Sequence, residues 1–318
     1  MRALVTGAGG FIGSHLMTAL AASGREAVGV IRATDQRITS ALSPSRLVTG
    51  DVTNGAWLKE LLGSQHIDVV FHLAGRDAFA DPVELYQMNV VGTAALLEAV
   101  RRLGRPELKV VLLGSSAQYG VTGNDPVIEE CGFNPITNYG ISKVACEAMG
   151  RLLFEQTGQQ VLCARAFNII GPGQSPRLLQ GSVIEQIVAI EEGKRPALVE
   201  VGDLSAYRDF LDVRDAAMGL IAVAEHGVAG DAYNICSGEA VQVSKLVACL
   251  VGLARVTIEV KSHERLSIAN LPYQLGSCAK LKKRAGWEPT IPFDKSLEEA
   301  LNERRLGARP AIVGDQLQ

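Results

Sequence analysis

The stretch from Arg2 to Ser14 reads RALVTGAGGFIGS. A short apolar run leads into glycines at positions 7, 10 and 13, and apolar residues at helical spacing follow. In such a series the first glycine permits a tight turn, the second lets the backbone approach a pyrophosphate, and the third lets a helix pack against the strand. The following helix would offer free N–H groups and its positive dipole end to phosphates. We predict a dinucleotide-binding turn, with cofactor contacts from Gly7, Gly10, Phe11, Ile12 and Gly13.

Strand-like runs alternate with helical segments through the first half of the chain, a pattern typical of a parallel sheet covered on both faces. Further strands are predicted at 27–31, 46–48, 69–73, 109–113 and 161–166, and helices at 56–63, 83–103 and 139–157. After Asn168 prolines and glycines interrupt this rhythm, and the strand and helix over 210–225 resemble a return to the main sheet.

These elements predict an α/β fold: a Rossmann-type doubly wound parallel sheet with a smaller C-terminal substrate-binding α/β domain. The length of 318 residues exceeds the usual size of a single core, which also favours two domains. We assign residues 1–167 and 207–228 to the dinucleotide-binding domain, residues 168–206 and 229–306 to the substrate domain, and residues 307–318 to a tail.

The composition restricts the partners that we expect. The net charge is −3, and no basic stripe with interleaved aromatic residues is present, which argues against nucleic acid. No apolar run approaches the roughly 18 residues of a membrane span, and the few apolar residues before Gly7 do not form a secretory signal. The six cysteines show no paired spacing and the five histidines form no metal motif. We expect reduced thiols, no bound metal, no membrane partner and a cytoplasmic location.

Three strand ends extend the predicted cofactor site. The second strand ends in Arg32 instead of the acidic residue that would bind the ribose of NAD, which favours a 2′-phosphate and therefore NADP. Asp35 lies farther along and leaves NAD(H) possible. The third strand is followed by Asp51 and Val52, where a carboxylate could meet the adenine amino group. The fourth leads into small residues that would let the cofactor pass closely, namely Leu73, Ala74 and Gly75.

A tyrosine, a lysine and two serines form a candidate reactive group. Tyr139 and Lys143 are four residues apart, so a helix places them on one face, where the ammonium group favours the phenolate form of the tyrosine. Such a tyrosine can give or take a proton at a carbonyl or an alcohol. Ser115 and Ser116 follow the fifth strand, and a hydroxyl group there could bond the same substrate oxygen.

Taken together, the glycine series, the serine after the fifth strand and the Tyr139-x-x-x-Lys143 pair resemble the extended short-chain dehydrogenases/reductases, the NAD-dependent epimerase/dehydratase family. The resemblance covers nearly the whole chain and is greatest to reductases of GDP-4-keto-6-deoxymannose and to GDP-mannose 4,6-dehydratases. Further matching segments are residues 89–93, 165–168, 171–174, 201–215, 233–238 and 286–289.

The resemblance implies that Ser115 is the catalytic serine, that Tyr139 is the proton donor, and that Lys143 is its partner and binds the nicotinamide ribose. It also places Asn89 in the cofactor site.

In the same way it implies that Ser116, Asn168, Arg208 and Arg265 bind the nucleotide sugar, with Arg208 a contact of the diphosphate. The late substrate loop reads Ser267-Ile268-Ala269-Asn270, without the arginine and the glutamate that the reductases often carry there. The nucleotide base therefore stays open.

The predicted activity is the NADP-preferring reduction of the C4 keto group of a nucleoside-diphosphate 4-keto-6-deoxyhexose. A 4-epimerase with retained NAD is the alternative. A 4,6-dehydratase is less favoured, because family members use a Glu or an Asp-Glu pair where this chain has Ala117, next to the neutral Gln118. A dinucleotide-binding protein without activity is disfavoured by the intact Ser115, Tyr139 and Lys143. Relatives commonly dimerise through the helices near 83–103 and 139–157, so a homodimer is expected.

Overall fold

A computed structural model describes residues 1–32, 46–263 and 271–307 of the chain. Its strands are β1 (Arg2–Thr6), β2 (Glu26–Ile31), β3 (Leu47–Thr49), β4 (Val69–His72), β5 (Lys109–Ser115), β6 (Val161–Ala166), β7 (Asn168–Ile170), β8 (Leu198–Val201), β9 (Tyr207–Asp212), β10 (Ala232–Ile235), β11 (Ala240–Gln242), β12 (Glu259–Ser262) and β13 (Tyr273–Gln274). Its α-helices are α1 (Phe11–Ala22), α2 (Gly55–Ser64), α3 (Pro82–Tyr86), α4 (Gly92–Leu103), α5 (Asn138–Thr157), α6 (Leu179–Glu191), α7 (Val213–His226), α8 (Val243–Gly252), α9 (Ala279–Ala285) and α10 (Phe293–Arg305).

The main sheet has seven strands in the order β3-β2-β1-β4-β5-β6-β10. Every neighbouring pair is parallel. The strand order reverses next to β1, and in open α/β sheets ligands bind beyond the carboxyl ends of the strands at such a point. The structure confirms the predicted Rossmann-type doubly wound sheet.

Both faces of this sheet are covered, which explains why its strands are almost continuously apolar. Ala3 and Val5 face one core with residues of α1 and α7. Leu4, on the alternate side of the same strand, joins a second core with residues of α2 and α4. The period-two alternation of β1 therefore supplies two hydrophobic layers at once.

The expected return of the chain to the main sheet at Phe210 is wrong. Strand β9 instead lies in a second sheet, where it pairs with β11, β13 and β7. The edge of the main sheet beyond β6 is taken by β10. Strand β9 carries two adjacent charged residues, Arg208 and Asp209, whereas β10, which takes the edge position, carries none. Helix α7 does pack against α1 on the main sheet.

A third hydrophobic cluster forms between α6, α8, α10 and β8. It lies within the part of the chain that we assigned to substrate binding. The predicted domain boundaries themselves stay a prediction. Most of the predicted tail, residues 308–318, lies outside the described residues, as do Asp35 and Arg265. No helix within the described ranges is long and apolar enough to cross a membrane.

The helix predicted over 83–103 is interrupted. Helix α3 is followed by a π-helical turn, Gln87–Val91, before α4 begins at Gly92. A π-turn adds a residue to the helical repeat and redirects side chains, and such turns are frequent at functional sites. Here it directs Asn89 inward, where it is only 1% exposed.

Candidate functional site

The glycine turn forms as predicted. Gly7 has a φ of +70° and sits against the end of β4, where a Cβ atom would lie 2.8 Å from the Ala74 nitrogen. A Cβ on Gly13 would lie 2.1 Å from the Gly7 carbonyl oxygen. Both positions therefore require glycine. Gly7 needs it for its positive φ and for its close approach to Ala74, and Gly13 needs it only for its close approach to Gly7.

Helix α1 begins directly after this turn, with Gly10 as its N-cap. Within the described residues no side chain caps this end, and residues 11–14 include no acidic side chain. An α-helix leaves the N–H groups of its first turn without partners inside the helix. Phe11, Ile12 and Gly13 therefore present N–H groups and a positive dipole end, which is a suitable site for a pyrophosphate.

The strand ends predicted for the adenosine half lie side by side. Arg32 directly follows β2, and the Gly50 N–H group after β3 donates to the Ile31 carbonyl at 2.9 Å. The Asp51 carboxylate accepts from both the N–H and the hydroxyl group of Thr53, each at 2.9 Å. Val52 is buried in the core beside it. The adenine contact of Asp51 stays a prediction, and the structure gives its carboxylate a second role in closing its own turn.

At the end of β4 the backbone of Leu73–Gly75 passes beside Asn89. The Asn89 side chain accepts from the Arg76 N–H group at 2.7 Å and donates to the Ser142 hydroxyl at 3.0 Å. A Cβ on Gly75 would lie 2.7 Å from the Asn89 Oδ1 atom and 4.0 Å from the Lys143 ammonium. The structure therefore brings Gly75, Asn89 and Lys143 together, with Asn89 holding the loop in place.

Ser115 is the last residue of β5 and not the first after it. Its side chain accepts from the Ala117 N–H group at 3.2 Å, and its own N–H group donates to the Gln118 side chain at 2.8 Å. This reciprocal arrangement is a capping box that starts a 3₁₀ turn over Ser116–Gln118. The turn fixes the Ser115 hydroxyl at the carboxyl edge of the main sheet.

Helix α5 brings Tyr139 and Lys143 to this turn. Thr137 caps the helix by accepting from the Gly140 N–H group at 3.0 Å. A Cβ on Gly140 would lie 2.4 Å from the Ala117 carbonyl oxygen, so the first turn of the helix packs directly on the turn after Ser115. The buried Lys143 ammonium donates to the Leu113 carbonyl at 2.8 Å and lies 5.7 Å from the centroid of the Tyr139 ring.

A buried imidazole lies behind this group. His72 bonds the Thr6 hydroxyl at 2.9 Å and the Thr93 hydroxyl at 3.2 Å. Burial, assisted by the positive charge of Lys143, lowers its pKa to about 3. His72 is therefore neutral across the physiological range and serves to tie β1, β4 and α4 together.

The predicted substrate residues that the structure describes lie on the second sheet and at its junction with the first. Asn168 donates to the Asp209 carbonyl at 3.1 Å. The Arg208 guanidinium donates to the Tyr207 carbonyl at 2.8 Å, and burial lowers its pKa. Ser116 is buried and donates to the Gln274 side chain at 3.0 Å, while Gln274 is the register partner of Arg208. Ser116 therefore links the 3₁₀ turn that follows Ser115, which we call the reactive turn, to the strand beside Arg208.

The sequence reasoning missed two residues of this region. Gln118 is one of them, although the Ser115-x-x-Gln118 spacing is itself the signal of a capping box. Asp209 accepts from three N–H groups, those of Ser237, Gly238 and Gly276, and no local pattern marks this role.

A dinucleotide fits these residues. The two glycine positions leave no room for a Cβ, the first turn of α1 offers N–H groups, and Gly75 opens the backbone beside Lys143. The glycine turn and α1 would hold the pyrophosphate, and Arg32 and Asp51 would flank the adenosine half. Tyr139 and Lys143 would lie beside the nicotinamide half.

Comparisons with known proteins agree with this geometry. The family model described as "NAD dependent epimerase/dehydratase family" matches residues 3–236. A GDP-6-deoxy-D-mannose reductase from Pseudomonas aeruginosa is 33% identical over 309 residues, which are 95% of this chain and 96% of that protein. A UDP-glucose 4-epimerase from Halalkalibacterium halodurans is 27% identical over 322 residues, covering 95% of each chain.

Among solved structures, that of RMD from Pseudomonas aeruginosa complexed with NADPH superimposes with a TM-score of 0.85 at 31% identity. The match covers 96% of this chain and 99% of that one. The chain therefore belongs to the NAD dependent epimerase/dehydratase family, which confirms the predicted extended short-chain dehydrogenase/reductase.

Proposed function

We propose that this protein is an NADP-preferring oxidoreductase that reduces the C4 keto group of a nucleoside-diphosphate 4-keto-6-deoxyhexose. The observation that carries the proposal is the packing of helix α5, which carries Tyr139 and Lys143, against the end of β5 and the turn that begins at Ser115. The bond from Lys143 to the Leu113 carbonyl and the packing of Gly140 on Ala117 hold helix α5 against the end of β5. Similarity to a GDP-6-deoxy-D-mannose reductase supports the choice of reaction.

Each of the three side chains has a separate role in this proposal. A nicotinamide bound beside these residues would supply the hydride. Tyr139 gives its phenolic proton to the substrate oxygen as negative charge develops there. The Ser115 hydroxyl donates a hydrogen bond to the same oxygen, and Lys143 stabilises the phenolate that remains.

For the nucleotide sugar, we propose that the second sheet supplies the contacts. Arg208 lies on β9, and its register partner Gln274 contacts Ser116 at the reactive turn. A guanidinium group at this place suits a diphosphate, because its planar donors match phosphate oxygens. Asn168 begins β7 next to the same strand. Arg265 belongs to this proposal on the strength of the family resemblance alone.

The turn after Ser115 argues against a dehydratase. Removing water from the unmodified hexose needs a side chain that takes a proton from C5 and returns one to C6. Ala117 has no such group. Gln118 is a neutral amide and is fully buried, with its side chain bonded to the Ser115 N–H group and to Glu147.

A 4-epimerase is the second candidate, favoured by the similarity to a UDP-glucose 4-epimerase over 95% of the chain. An epimerase uses the same residues but returns the hydride to the same sugar, so the cofactor is not consumed. Net consumption of the reduced cofactor separates the two reactions.

The experiment mixes the purified protein with NADPH and a 4-keto-6-deoxyhexose carried on GDP, UDP, dTDP or CDP. We expect absorbance of the reduced nicotinamide to fall in proportion to the sugar added, with one base preferred. With the unmodified hexose we expect no loss of water. Interconversion of 4-epimers without net change in cofactor would overturn the reductase in favour of the epimerase.

Cofactor preference gives a separate prediction. We propose that Arg32 binds the 2′-phosphate, because it follows β2 where a dinucleotide fold contacts the adenosine ribose. Arg32→Ala should raise the Kd of NADPH by about tenfold, the equivalent of losing one charge-assisted hydrogen bond of roughly 1.5 kcal/mol, and leave that of NADH nearly unchanged. Titration of both cofactors measures this, and equal losses would show that Arg32 does not contact the phosphate.

We also propose a homodimer and a cytoplasmic location. The surface of the two helices named for the dimer carries exposed apolar side chains, among them Val91 at 43%, Ile141 at 45% and Leu152 at 52% exposure. Burial of such side chains between two copies would stabilise the pair.

A further inference from the structure

A buried chain of hydrogen bonds runs inward from Ser115. The Ser115 N–H group donates to the Gln118 Oε1 atom at 2.8 Å, and the Gln118 amide donates to the Glu147 carboxylate at 2.7 Å. Glu147 then accepts two hydrogen bonds from one edge of the Arg165 guanidinium, from its Nε and Nη2 atoms. Gln118 is 0% exposed and Arg165 is 5% exposed, so water contributes little to this chain.

The order of donors and acceptors along this hydrogen-bond chain admits a glutamine at position 118 and excludes an ionised carboxylate there. The Ser115 N–H group can only donate, and the ionised Glu147 can only accept. An amide offers one acceptor and one donor and satisfies both. An ionised carboxylate at position 118 would satisfy Ser115 but would face the carboxylate of Glu147.

Two neighbouring features hold the glutamine in this orientation. Gly114 makes room for it, since a Cβ there would lie 2.6 Å from the Gln118 Oε1 atom. The Arg165 end of the hydrogen-bond chain is equally constrained, because Arg165 also donates to the Tyr119 hydroxyl and to the Glu129 carbonyl, each at 2.8 Å. Burial would raise the pKa of Glu147, but its ion pair with Arg165 and its bonds with Cys163 and Gln118 together outweigh burial and lower the pKa. Glu147 is therefore ionised at neutral pH.

We propose that Gln118 is a positioning residue for Ser115, holding the catalytic hydroxyl at the end of β5 through the buried Glu147–Arg165 pair. This inference rests on the proposed function, in which Ser115 bonds the reacting oxygen. It assigns to Gln118 a mechanical role in place of the proton-transfer role that a dehydratase gives to a nearby acid. It also explains why a buried ion pair lies directly behind the reactive turn.

The test is Gln118→Glu, measured as kcat and KM across pH. The new carboxyl is buried beside Glu147, and both burial and like charge favour its protonated form. Protonated, it can accept from Ser115 and donate to Glu147 as the amide does. We therefore expect near-normal kcat at low pH and a fall of about tenfold or more as pH rises and the proton is lost, since small displacements of a catalytic group have effects of this size. KM should change little.

The ionisable groups around this hydrogen-bond chain come from each element packed on it. They are Glu147 and Lys143 on α5, Arg165 and Cys163 on β6, Tyr119 on the reactive turn and Glu129 in the following loop.

A charge exchange provides the decisive comparison. In the double variant Gln118→Glu with Glu147→Gln, the carboxylate accepts from Ser115 and from the amide that now replaces Glu147. We expect the high-pH loss of kcat to disappear in the double variant. Gln159→Glu is the matched control, because Gln159 is also buried and donates to the Arg105 and Leu108 carbonyls at the amino end of the sheet. It should lower stability without changing the pH dependence of kcat.

Ser115→Ala separates the failure of this inference from the failure of the proposed function. If Ser115→Ala retains full turnover, the proposed role of Ser115 is wrong. If Ser115→Ala loses turnover while Gln118→Glu folds and keeps the wild-type pH profile, the positioning role of Gln118 is wrong. Hydrogen exchange at the Ser115 amide offers a readout without turnover. At high pH we expect this exchange to be faster in Gln118→Glu than in the wild type at the same pH. In the double variant the exchange rate should return to the wild-type value. An exchange rate unchanged in Gln118→Glu would also overturn the inference.

Discussion

Replacing Tyr139 by phenylalanine is expected to lower kcat by about 100-fold or more and to leave the affinity for the dinucleotide nearly unchanged. The magnitude is the usual effect of removing general acid catalysis. The change removes only the hydroxyl group, while Lys143 keeps its bond to the Leu113 carbonyl and the helix keeps its packing on Ala117. Single-turnover reduction of a 4-keto sugar and a cofactor titration measure the two quantities separately.

The matched control is Tyr233→Phe. Tyr233 is 1% exposed on β10, and its hydroxyl accepts from the Val228 N–H group at 2.9 Å, away from the carboxyl edge of the sheet. Loss of this bond should lower the free energy of unfolding by about 1 kcal/mol and leave kcat unchanged. Near-normal kcat in Tyr139→Phe would remove Tyr139 from its proposed role.

The second large effect is expected for Gly13→Ala. The new Cβ would lie 2.1 Å from the Gly7 carbonyl oxygen and 2.9 Å from its carbonyl carbon, both atoms of a rigid backbone turn. Helix α1 must therefore move away from the turn that it completes. We expect the free energy of unfolding to fall by about 1–3 kcal/mol, the usual effect of overpacking, and the Kd of the dinucleotide to rise by roughly tenfold or more.

Gly63→Ala tests whether this effect belongs to the site. Gly63 also lies in a helix, α2, but a Cβ there would meet only the end of the Leu103 side chain at 3.6 Å, an ordinary contact. Because alanine favours the helix by about 1 kcal/mol over glycine, this variant should be as stable as the wild type or more so. Equal dinucleotide binding by the two variants would show that the glycine turn is not the pyrophosphate site.

Features that depend on neighbouring residues could be predicted from the sequence. The glycine turn, the first helix and the parallel strands follow from apolar periodicity and from the conformational freedom of glycine. Tyr139 and Lys143 share a face of α5 because their spacing matches a helical turn. The family resemblance added the roles of these residues and of Ser115, and the family itself is confirmed.

Features that depend on distant residues could not be predicted in this way. Whether β9 or β10 continues the main sheet depends on which strand pairs with β6, and pairing between residues far apart leaves no local pattern. The Asn89 side chain in the π-turn bonds the Arg76 N–H group and the Ser142 hydroxyl, which come from two other parts of the chain.

The orientation of Gln118 shows the same division within one turn. The spacing from Ser115 to Gln118 is a local capping pattern that the sequence contains. Its second bond, to Glu147, joins residues 29 positions apart and depends on where α5 and β6 place the Glu147–Arg165 pair. Local sequence therefore specifies which groups are present at the reactive turn. Which of them face the site and which turn into the core depends on long-range packing, because burial requires every polar group to find a partner.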